Sequence, residues 1–256
     1  MRIVVKIGTS TLAHPGGRLN IRNVEELVKV LADLKNAGNE IILVSSGAIG
    51  MGIGKLNMDR AHMDVPEKQA AAAVGQCELM HTYDTLFLKY SHNVGQILIT
   101  SEDIDDAERR GNFENTMKTL LEFGALPIVN ENDTVATTEI NSVGDNDTLG
   151  AIVAKTIDAD VLVLMSDIDG LFTADPNKDP SAKLIEVVEE ITAEIESFAG
   201  GAGSSLGTGG MSTKLGAAQM VTEAGCDMII INGNNPEKLY DIVEGKKAGT
   251  LFKGKR

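Results

Sequence analysis

The chain has 256 residues, of which 43% are hydrophobic and 23% are charged, and these proportions are typical of a globular protein rather than a disordered, collagenous or coiled-coil chain. Its 37 Asp and Glu outnumber its 23 Lys and Arg, so the formal charge is −14. A field this negative repels polyanions and disfavours extended nucleic-acid binding. No run of 18 apolar residues predicts a membrane span.

Short β-branched runs alternate with longer segments of helical period along the chain. The predicted strands are Ile3–Ile7, Glu40–Val44, Val94–Ile99, Leu126–Val129, Val161–Met165 and Met228–Ile231. The predicted helices are one that starts at Ile21 and stops at Gly38, followed by Glu67–Tyr90, Asp105–Phe123, Thr148–Ala159, Ser212–Ala224 and Pro236–Glu244. Several of these strands are apolar on both faces, which predicts an α/β fold with a mainly parallel sheet covered by helices.

Two features modify this alternation. Residues Ile168–Val188 interrupt it and predict an antiparallel hairpin inserted late in the fold. No linker rich in proline or serine divides the chain, so we expect any boundary near Ala154–Asp160, between lobes that share one sheet.

The cysteines and the first residues bear on the cellular compartment. Cys77 and Cys226 are far apart and have no CxxC or Cys/His spacing, so we expect both to be small core residues. The first residues, Met1–Lys6, predict a strand that starts at once rather than a signal peptide. A cytoplasmic location fits both observations.

Three glycine-containing segments are candidate anion sites. The first predicted strand runs into Lys6–Ser10, the second runs into Ser45–Ala48, and Gly207–Lys214 leads into a helix. In open α/β sheets, ligands bind beyond the carboxyl ends of the strands, where helix N-termini offer free amides and glycine lets the ligand approach the backbone. The fingerprint G-x-G-x-x-G is absent after the first strand, which weakens a nicotinamide-binding function.

Lys6 and Lys214 are the candidate phosphate-binding side chains. Lys6 lies in an apolar strand, where a charge is costly unless it reaches the edge or a partner. Lys214 lies in a first helical turn, where a cation opposes the helix dipole unless an anion sits between them. The structural alternatives are a strand-end lysine paired with a carboxylate and a solvated first-turn lysine. Two such lysines in separate glycine-containing segments favour phosphoryl transfer, which depends on positioning and charge neutralisation.

The middle of the chain is dense in carboxylates and amides. Asn130–Thr134 follows one strand and Gly144–Asp147 precedes a helix, and each alone is typical of turns and caps. Together they predict a polar ligand, and an amino-bearing substrate fits them. Asp145–Asp147 could orient the lysine ammonium groups or hold hydrated Mg²⁺. The four histidines lie outside all these segments, which favours an acceptor that needs no base, such as a carboxylate.

Six motifs stand in order along the chain: VVKIGTS (Val4–Ser10), VSSGA (Val44–Ala48), VNENDTVAT (Val129–Thr137), VGDND (Val143–Asp147), DGLFTADP (Asp169–Pro176) and GTGGMSTK (Gly207–Lys214). Together they resemble one branch of the amino acid kinase family, the kinases that phosphorylate the γ-carboxylate of L-glutamate. The first motif and the lysine pair belong to the wider family. NEND with GDND, and GTGGMSTK, are specific to this branch, and the resemblance continues to Phe252.

The resemblance implies that ATP phosphorylates L-glutamate to L-glutamate 5-phosphate in the first step of proline synthesis. It also implies a three-layer αβα sandwich, the carbamate kinase-like fold, around a mainly parallel sheet of about eight strands. A single domain, 1–256, would comprise an N-terminal lobe of about 1–155 that binds glutamate and a C-terminal lobe of about 156–256 that binds ATP. Mg²⁺ is expected as the ion of the nucleotide, without a tightly held structural metal.

The resemblance assigns roles to individual residues. Lys6 and Lys214 would hold and neutralise the transferring phosphoryl group, and Asp147 would orient both lysines. The glutamate contacts would be Ser46, Asp133 and Asn146, with Asp133 suited to the substrate ammonium. The ATP contacts would be Lys6, Ser166, Asp167, Thr208, Gly209, Gly210, Met211, Ser212, Thr213 and Lys214. From sequence alone, Ser166 and Asp167 could equally cap a turn.

The resemblance also sets expectations about size and partners. Many bacterial members continue into a C-terminal PUA domain, whereas this chain stops at Arg256, so no PUA domain is expected. Catalysis should survive without it, because every matched motif lies upstream. Proline feedback inhibition is left open, and a homo-oligomer, either dimer or tetramer, is expected by resemblance only. Neither nucleic acid nor a membrane is expected as a partner.

Three alternative functions remain open at this point. A relative with the same fold could phosphorylate another acceptor, such as N-acetylglutamate, aspartate or a nucleotide. Asp133 argues against N-acetylglutamate, whose acetylated amine is neutral and would leave that carboxylate without an ionic partner. A catalytically silent sensor of nucleotides or amino acids is opposed by the presence of Lys6, Lys214 and Asp147. A nicotinamide enzyme would lack its fingerprint.

Overall fold

A computed structural model describes residues 1–14, 17–59, 63–136, 146–176, 178–199 and 210–255. Within these ranges the strands are β1 (Arg2–Ile7), β2 (Glu40–Ser45), β3 (Val94–Ile99), β4 (Leu126–Glu131), β5 (Val161–Ser166), β6 (Val187–Val188), β7 (Asp227–Asn232) and β8 (Thr250–Phe252). The helices are α1 (Thr9–Leu12), α2 (Ile21–Asn36), α3 (Ala48–Leu56), α4 (Val65–Leu88), α5 (Ser101–Asp105), α6 (Ala107–Glu122), α7 (Asn146–Thr156), α8 (Ala193–Ala199), α9 (Met211–Glu223) and α10 (Lys238–Val243).

The strands form one sheet in the order β3-β4-β2-β1-β5-β7-β8-β6. The first six strands of this order are mutually parallel, while β8 runs antiparallel to β7 and parallel to β6. The prediction of a mainly parallel sheet of about eight strands is therefore confirmed. The carboxyl ends of β1, β2, β4, β5 and β7 meet at one edge of the sheet, which is where a ligand is expected in such folds.

Helices cover both faces of the sheet. On one face Ile3 of β1 belongs to the same apolar cluster as Leu27 of α2. On the other face Val4 belongs to a cluster with Leu149 of α7 and Leu215 of α9. The three-layer αβα sandwich is thus confirmed. Because side chains alternate along a strand, Lys6 lies on the same face as Val4, towards α7 and α9.

The antiparallel hairpin predicted at Ile168–Val188 forms only in part. Phe172 and Leu184 make a single antiparallel bridge, and the Ile185 amide donates to the Leu171 carbonyl at 2.8 Å. The returning strand then departs from the prediction, because β6 joins the sheet edge parallel to β8.

Helices α3 and α4 touch backbone to backbone. A Cβ added to Gly75 would lie 1.7 Å from the Ala48 carbonyl oxygen, and one added to Gly52 would lie 1.8 Å from the Ala71 carbonyl oxygen. No residue other than glycine fits either position without moving a helix. This contact holds α4 against the first turn of α3, directly after Ser46 and Gly47.

The cysteine prediction holds for one residue of the two. Cys226 is buried as expected, but Cys77 is exposed on α4, so its assignment to the core was wrong. The period of α4 places Cys77 about 100° around the helix from its buried neighbour Gln76. Nowhere in the described ranges is there a helix both long and apolar enough to cross a membrane.

Candidate active site at the carboxyl ends of the strands

Two lysines and one aspartate meet in the interior between β1, α7 and α9. The Lys6 Nζ atom lies 2.6 Å from Asp147 Oδ1, and the Lys214 Nζ atom lies 2.9 Å from Asp147 Oδ2. All three residues are buried: Lys6 is 7% exposed, Lys214 is 6% exposed and Asp147 is 1% exposed. The structure therefore brings together the two lysines that were expected to hold the phosphoryl group and the aspartate that was expected to orient them. We call them the lysine–aspartate triad.

A small residue in α7 makes this triad possible. A Cβ added to Gly150 would lie 3.4 Å from the Cβ of Lys6 and 3.4 Å from Leu162 Cδ1, so α7 crosses β1 and β5 closely. Asp147 precedes Gly150 by three residues and therefore lies on the same face of α7. Lys214 reaches the same carboxylate because it occupies the first turn of α9, which packs along α7.

The triad carries a buried net charge of +1. Burial alone would raise the pKa of the Asp147 carboxyl, but the ion pairs with Lys6 and Lys214 outweigh burial and lower this pKa. Asp147 is therefore ionised at neutral pH and neutralises one of the two ammonium charges. The remaining positive charge is suited to an anion.

A second polar cluster begins one residue earlier in α7. The Asn146 side-chain amide donates to the Ser45 carbonyl at 2.9 Å, to Ser46 Oγ at 2.6 Å and to Asn130 Oδ1 at 3.2 Å. Asn130 in turn donates from its Nδ2 to Gln76 Oε1 of α4 at 2.9 Å. We call these residues, Gln76, Asn130, Asn146 and Ser46, the amide network. It ties α7 and α4 to the carboxyl ends of β2 and β4.

Asp133 lies in the turn that follows β4. Burial, together with the neighbouring charge of Glu131, raises the pKa of Asp133 to about 6. Burial also raises the pKa of the Glu131 carboxyl. The turn is held to α4, because Gln69 Nε2 donates to the Ala136 carbonyl at 3.1 Å. A carboxylate that is costly to ionise here gains from a nearby cation.

The predicted nucleotide contacts fall at the ends of β5 and the start of α9. Ser166 ends β5 and donates from Oγ to Asp167 Oδ1 at 3.1 Å, and the Ser166 carbonyl accepts from the Gly233 amide at 2.7 Å. Gly210 precedes α9, and no side chain of the described residues caps this helix end. Its first turn holds Met211, Ser212, Thr213 and Lys214, of which Ser212 is exposed. Thr208, Gly209 and Asp145 lie outside the described residues.

Sequence reasoning placed Asn130 in a segment predicted to bind a polar ligand but gave it no individual role, and it gave none to Gln76 or Tyr83. Tyr83 is fully buried, and its hydroxyl lies 2.9 Å from Ser45 Oγ. Gln76 and Tyr83 are seven residues apart, which places both on one face of α4. Two polar residues at this spacing, on a helix face that is otherwise small and apolar, could have indicated from the sequence that both side chains have buried polar partners. Within the described ranges, no three His, Cys, Asp or Glu side chains are grouped to hold a metal ion.

Comparison with known proteins places the chain among kinases. Residues 1–232 match the model of the amino acid kinase family. A relative named glutamate 5-kinase, from Clostridium perfringens (strain 13 / Type A), is 50% identical over 258 residues, which cover all of this chain and 96% of the relative. A glutamate 5-kinase from Clostridium tetani (strain Massachusetts / E88) is 54% identical over 250 residues, which cover 98% of this chain and 93% of the relative.

Solved structures share the fold at low sequence identity. Isopentenyl phosphate kinase from T. acidophilum is 17% identical, with a TM-score of 0.67 over 99% of this chain and 100% of that one. UMP kinase from Ureaplasma parvum is 16% identical, with a TM-score of 0.65 over 98% of both chains. Kinases that are named for different phosphoryl acceptors therefore share this fold. The fold alone does not identify the acceptor of this chain, which has to be inferred from the residues of the site.

Proposed function

The chain belongs to the amino acid kinase family, and from that premise we propose that it transfers the γ-phosphoryl group of ATP to the γ-carboxylate of L-glutamate. The products would be ADP and L-glutamate 5-phosphate, in the first step of proline synthesis. The observation that carries this proposal is the adjacency of the two polar clusters. Asn146 belongs to the amide network and Asp147 to the lysine–aspartate triad, so a single peptide bond joins an amino-acid site to a phosphate site.

The proposed amino-acid site would offer one partner to a carboxylate of L-glutamate and another to its α-ammonium group. Ser46 Oγ accepts a hydrogen bond from Asn146 Nδ2, which leaves the hydroxyl proton of Ser46 for a substrate carboxylate. Asp133 would receive the α-ammonium group, because a cation relieves the cost of ionising this carboxyl. The acceptor γ-carboxylate is ionised at neutral pH and can attack phosphorus without first losing a proton.

The lysine–aspartate triad would stabilise the transferring group. In phosphoryl transfer, charge is spread over the equatorial oxygens of the phosphoryl group, and catalysis is mostly positioning and electrostatic stabilisation. The ammonium groups of Lys6 and Lys214 supply that stabilisation, while Asp147 holds both in place. Mg²⁺, arriving with ATP, would neutralise further phosphate charge.

ATP would bind along β5 and α9. At the N-terminus of α9, where no side chain within the described ranges forms a cap, the backbone amides would bind phosphate oxygens. Ser166 and Asp167 at the end of β5, the loop residues Thr208 and Gly209, and the turn from Gly210 to Thr213 complete the proposed contacts. On this assignment 1–155 supplies the glutamate site and 156–256 supplies most of the ATP site.

Other properties of the family are carried over as part of the same proposal. They are a cytoplasmic location, assembly into a homo-oligomer of two or four chains, and feedback inhibition by proline. Their support is the family membership and the identity to the two clostridial relatives.

The test is an assay of the chain with ATP, Mg²⁺ and L-glutamate in the presence of hydroxylamine. An acyl phosphate reacts to give a hydroxamate, whereas a phosphate ester does not. We expect hydroxamate and ADP with L-glutamate, and little of either with N-acetyl-L-glutamate, L-aspartate or UMP. Calorimetric binding of ATP without ADP release for any acceptor would instead establish a sensor, and turnover of the acetylated substrate alone would refute the assigned acceptor.

A further inference from the structure

Helix α4 sends one buried polar side chain to the amide network. Gln76 is 7% exposed, and its Oε1 accepts from the Nδ2 of Asn130, which is itself 2% exposed. The helix packs directly on α3 at this level, because Gly75 lies against the Ala48 carbonyl with no space for a side chain. The backbone contact between α3 and α4 at Gly75 thus places the neighbouring Gln76 within hydrogen-bond distance of Asn130.

Two backbone groups decide which way the amides of this network face. The Ser45 carbonyl can only accept, so the NH₂ group of Asn146 faces it. The Glu131 amide can only donate, and it lies 2.9 Å from the Asn130 side chain, so the oxygen of Asn130 faces it. The Nδ2 of Asn130 therefore points elsewhere and needs an acceptor, and Gln76 Oε1 is that acceptor.

The orientation of Asn146 has a consequence for the substrate. Its Nδ2 is directed at Ser45, Ser46 and Asn130, so its Oδ1 is turned away from all three. This amide oxygen can only accept hydrogen bonds, so it would bind a donor group of the substrate. The α-ammonium is the one donor group of L-glutamate at neutral pH, since both of its carboxylates only accept.

We propose that Gln76 is a positioning residue of the amino-acid site: by accepting from Asn130 it keeps Asn130 bonded to Asn146, and so keeps the Asn146 Oδ1 presented to the substrate ammonium. This inference rests on the proposed function. Gln76 acts through Asn130 and Asn146 and does not itself touch the reacting atoms.

Loss of the Gln76 oxygen would leave a buried donor without its partner. Such a group is costly in the interior, so the Asn130 side chain would turn towards another acceptor, at the expense of the bond that its oxygen accepts from the Glu131 amide. Rotation would remove the acceptor that Asn130 offers to Asn146 Nδ2. The lysine–aspartate triad contains no member of this chain of bonds, so ATP binding should be spared.

The experiment compares three variants of the full chain by steady-state kinetics. Gln76→Met removes the oxygen at similar side-chain length, Gln76→Glu keeps an oxygen acceptor, and Tyr83→Phe removes a different buried hydrogen bond from the same face of α4. Ser45 Oγ keeps a contact with the Ser46 carbonyl at 3.2 Å when Tyr83 is lost. We expect Gln76→Met to raise KM for L-glutamate by about tenfold. KM for ATP should change less than about twofold, and Gln76→Glu should recover most of the loss.

Each other outcome overturns the inference. An unchanged KM for L-glutamate in Gln76→Met, an equal rise for both substrates, or an equal effect of Tyr83→Phe would each show that Gln76 is only a packing residue. The side-chain amide resonances of Asn146 give a readout without turnover, and they should shift in Gln76→Met and remain in place in Tyr83→Phe. If the unmodified chain forms no hydroxamate with L-glutamate, the proposed function fails, whereas shifted Asn146 resonances would still establish the positioning contact.

Discussion

At the scale of single residues, Lys6 and Lys214 were identifiable because each is out of place locally. One is a charge in an apolar strand and the other a cation at the start of a helix. Their convergence on Asp147 does not follow from any local pattern. It depends on where α7 and α9 cross the sheet, and that crossing is set by non-local packing such as the contact of Gly150 with Lys6.

Replacing either ammonium group should reduce turnover strongly. We expect Lys6→Met or Lys214→Met to lower kcat by about 10²–10³-fold, because each removes one fixed positive group from the phosphoryl site. Lys155→Met is the matched control, since Lys155 is an exposed lysine of α7 and should keep its rate. Circular dichroism would verify that the variants are folded. Near-normal rates in both triad variants would refute the role of the lysines.

The pKa of Asp133 predicts a pH dependence of glutamate binding. The carboxyl is protonated below about pH 6 in the substrate-free protein, and only the ionised form attracts the ammonium group. KM for L-glutamate should therefore rise as pH falls through 6, to a value at pH 5 about tenfold above that at pH 7. The substrate itself does not titrate in this window, so the change belongs to the protein.

Two variants separate Asp133 from other titrating groups. Asp133→Asn should raise KM for L-glutamate at every pH and abolish the inflection near 6. Glu131→Gln should move the inflection to lower pH, because the charge of Glu131 helps to raise the pKa of Asp133. An inflection that survives in Asp133→Asn would assign it to a different residue.

At the scale of elements, β1, β2, β3, β4, β5 and β7 were predicted to within about two residues, and the long helices nearly as well. The short edge strands β6 and β8 were not predicted as strands. Helix α3 was missed, because its sequence AIGMGIGKL has three glycines, which lower helix propensity. One of these glycines, Gly52, helps to explain why it forms: it allows the backbone contact with Ala71 of α4, and this tertiary contact stabilises a helix that the local sequence does not. The short α1, α5 and α8 were also missed, since so few residues carry little periodicity.

The backbone contact between α3 and α4 predicts a large effect of one methyl group. Gly75→Ala would place a Cβ 1.7 Å from the Ala48 carbonyl oxygen, so the helices must separate. We expect a loss of about 1–3 kcal/mol in the free energy of unfolding. KM for L-glutamate should rise as well, because Gln76 moves with α4.

Gly111→Ala provides the control for this prediction. Gly111 lies inside α6, and a Cβ added there would meet nothing within 4 Å. This variant should gain about 0.5–1 kcal/mol through improved helix propensity. Denaturant titration measures both changes, and a loss in Gly111→Ala similar to that in Gly75→Ala would show that the backbone contact is not the cause.

At the scale of the whole molecule, alternation of strands and helices predicted the α/β class but not the order of the strands. Strand β5 pairs with β1 although about 150 residues separate them along the chain. Such pairing is decided by which surfaces pack together, and a single sequence does not record it. The apolar sequences of β1 and β5 indicated only that both strands are buried on two faces.

The two lobes assigned to the two substrates should not unfold separately. Both apolar clusters draw residues from either side of residue 155: one includes Val4 and Met228, and the other includes Leu27 and Ile231. We therefore expect a single cooperative transition in which fluorescence and far-ultraviolet dichroism coincide. Two separated transitions, or a fragment 1–155 that folds alone, would contradict this expectation.

The central position of β1 has a consequence for behaviour on heating. Lys6 belongs to a strand whose two edges are both paired, with Val44 on one side and Leu164 on the other. Backbone in such a position becomes accessible to deuterium only when the sheet as a whole opens. One of the two ammonium groups is thus anchored where premature local melting does not reach, so warmed samples should retain their specific activity until the sheet itself comes apart.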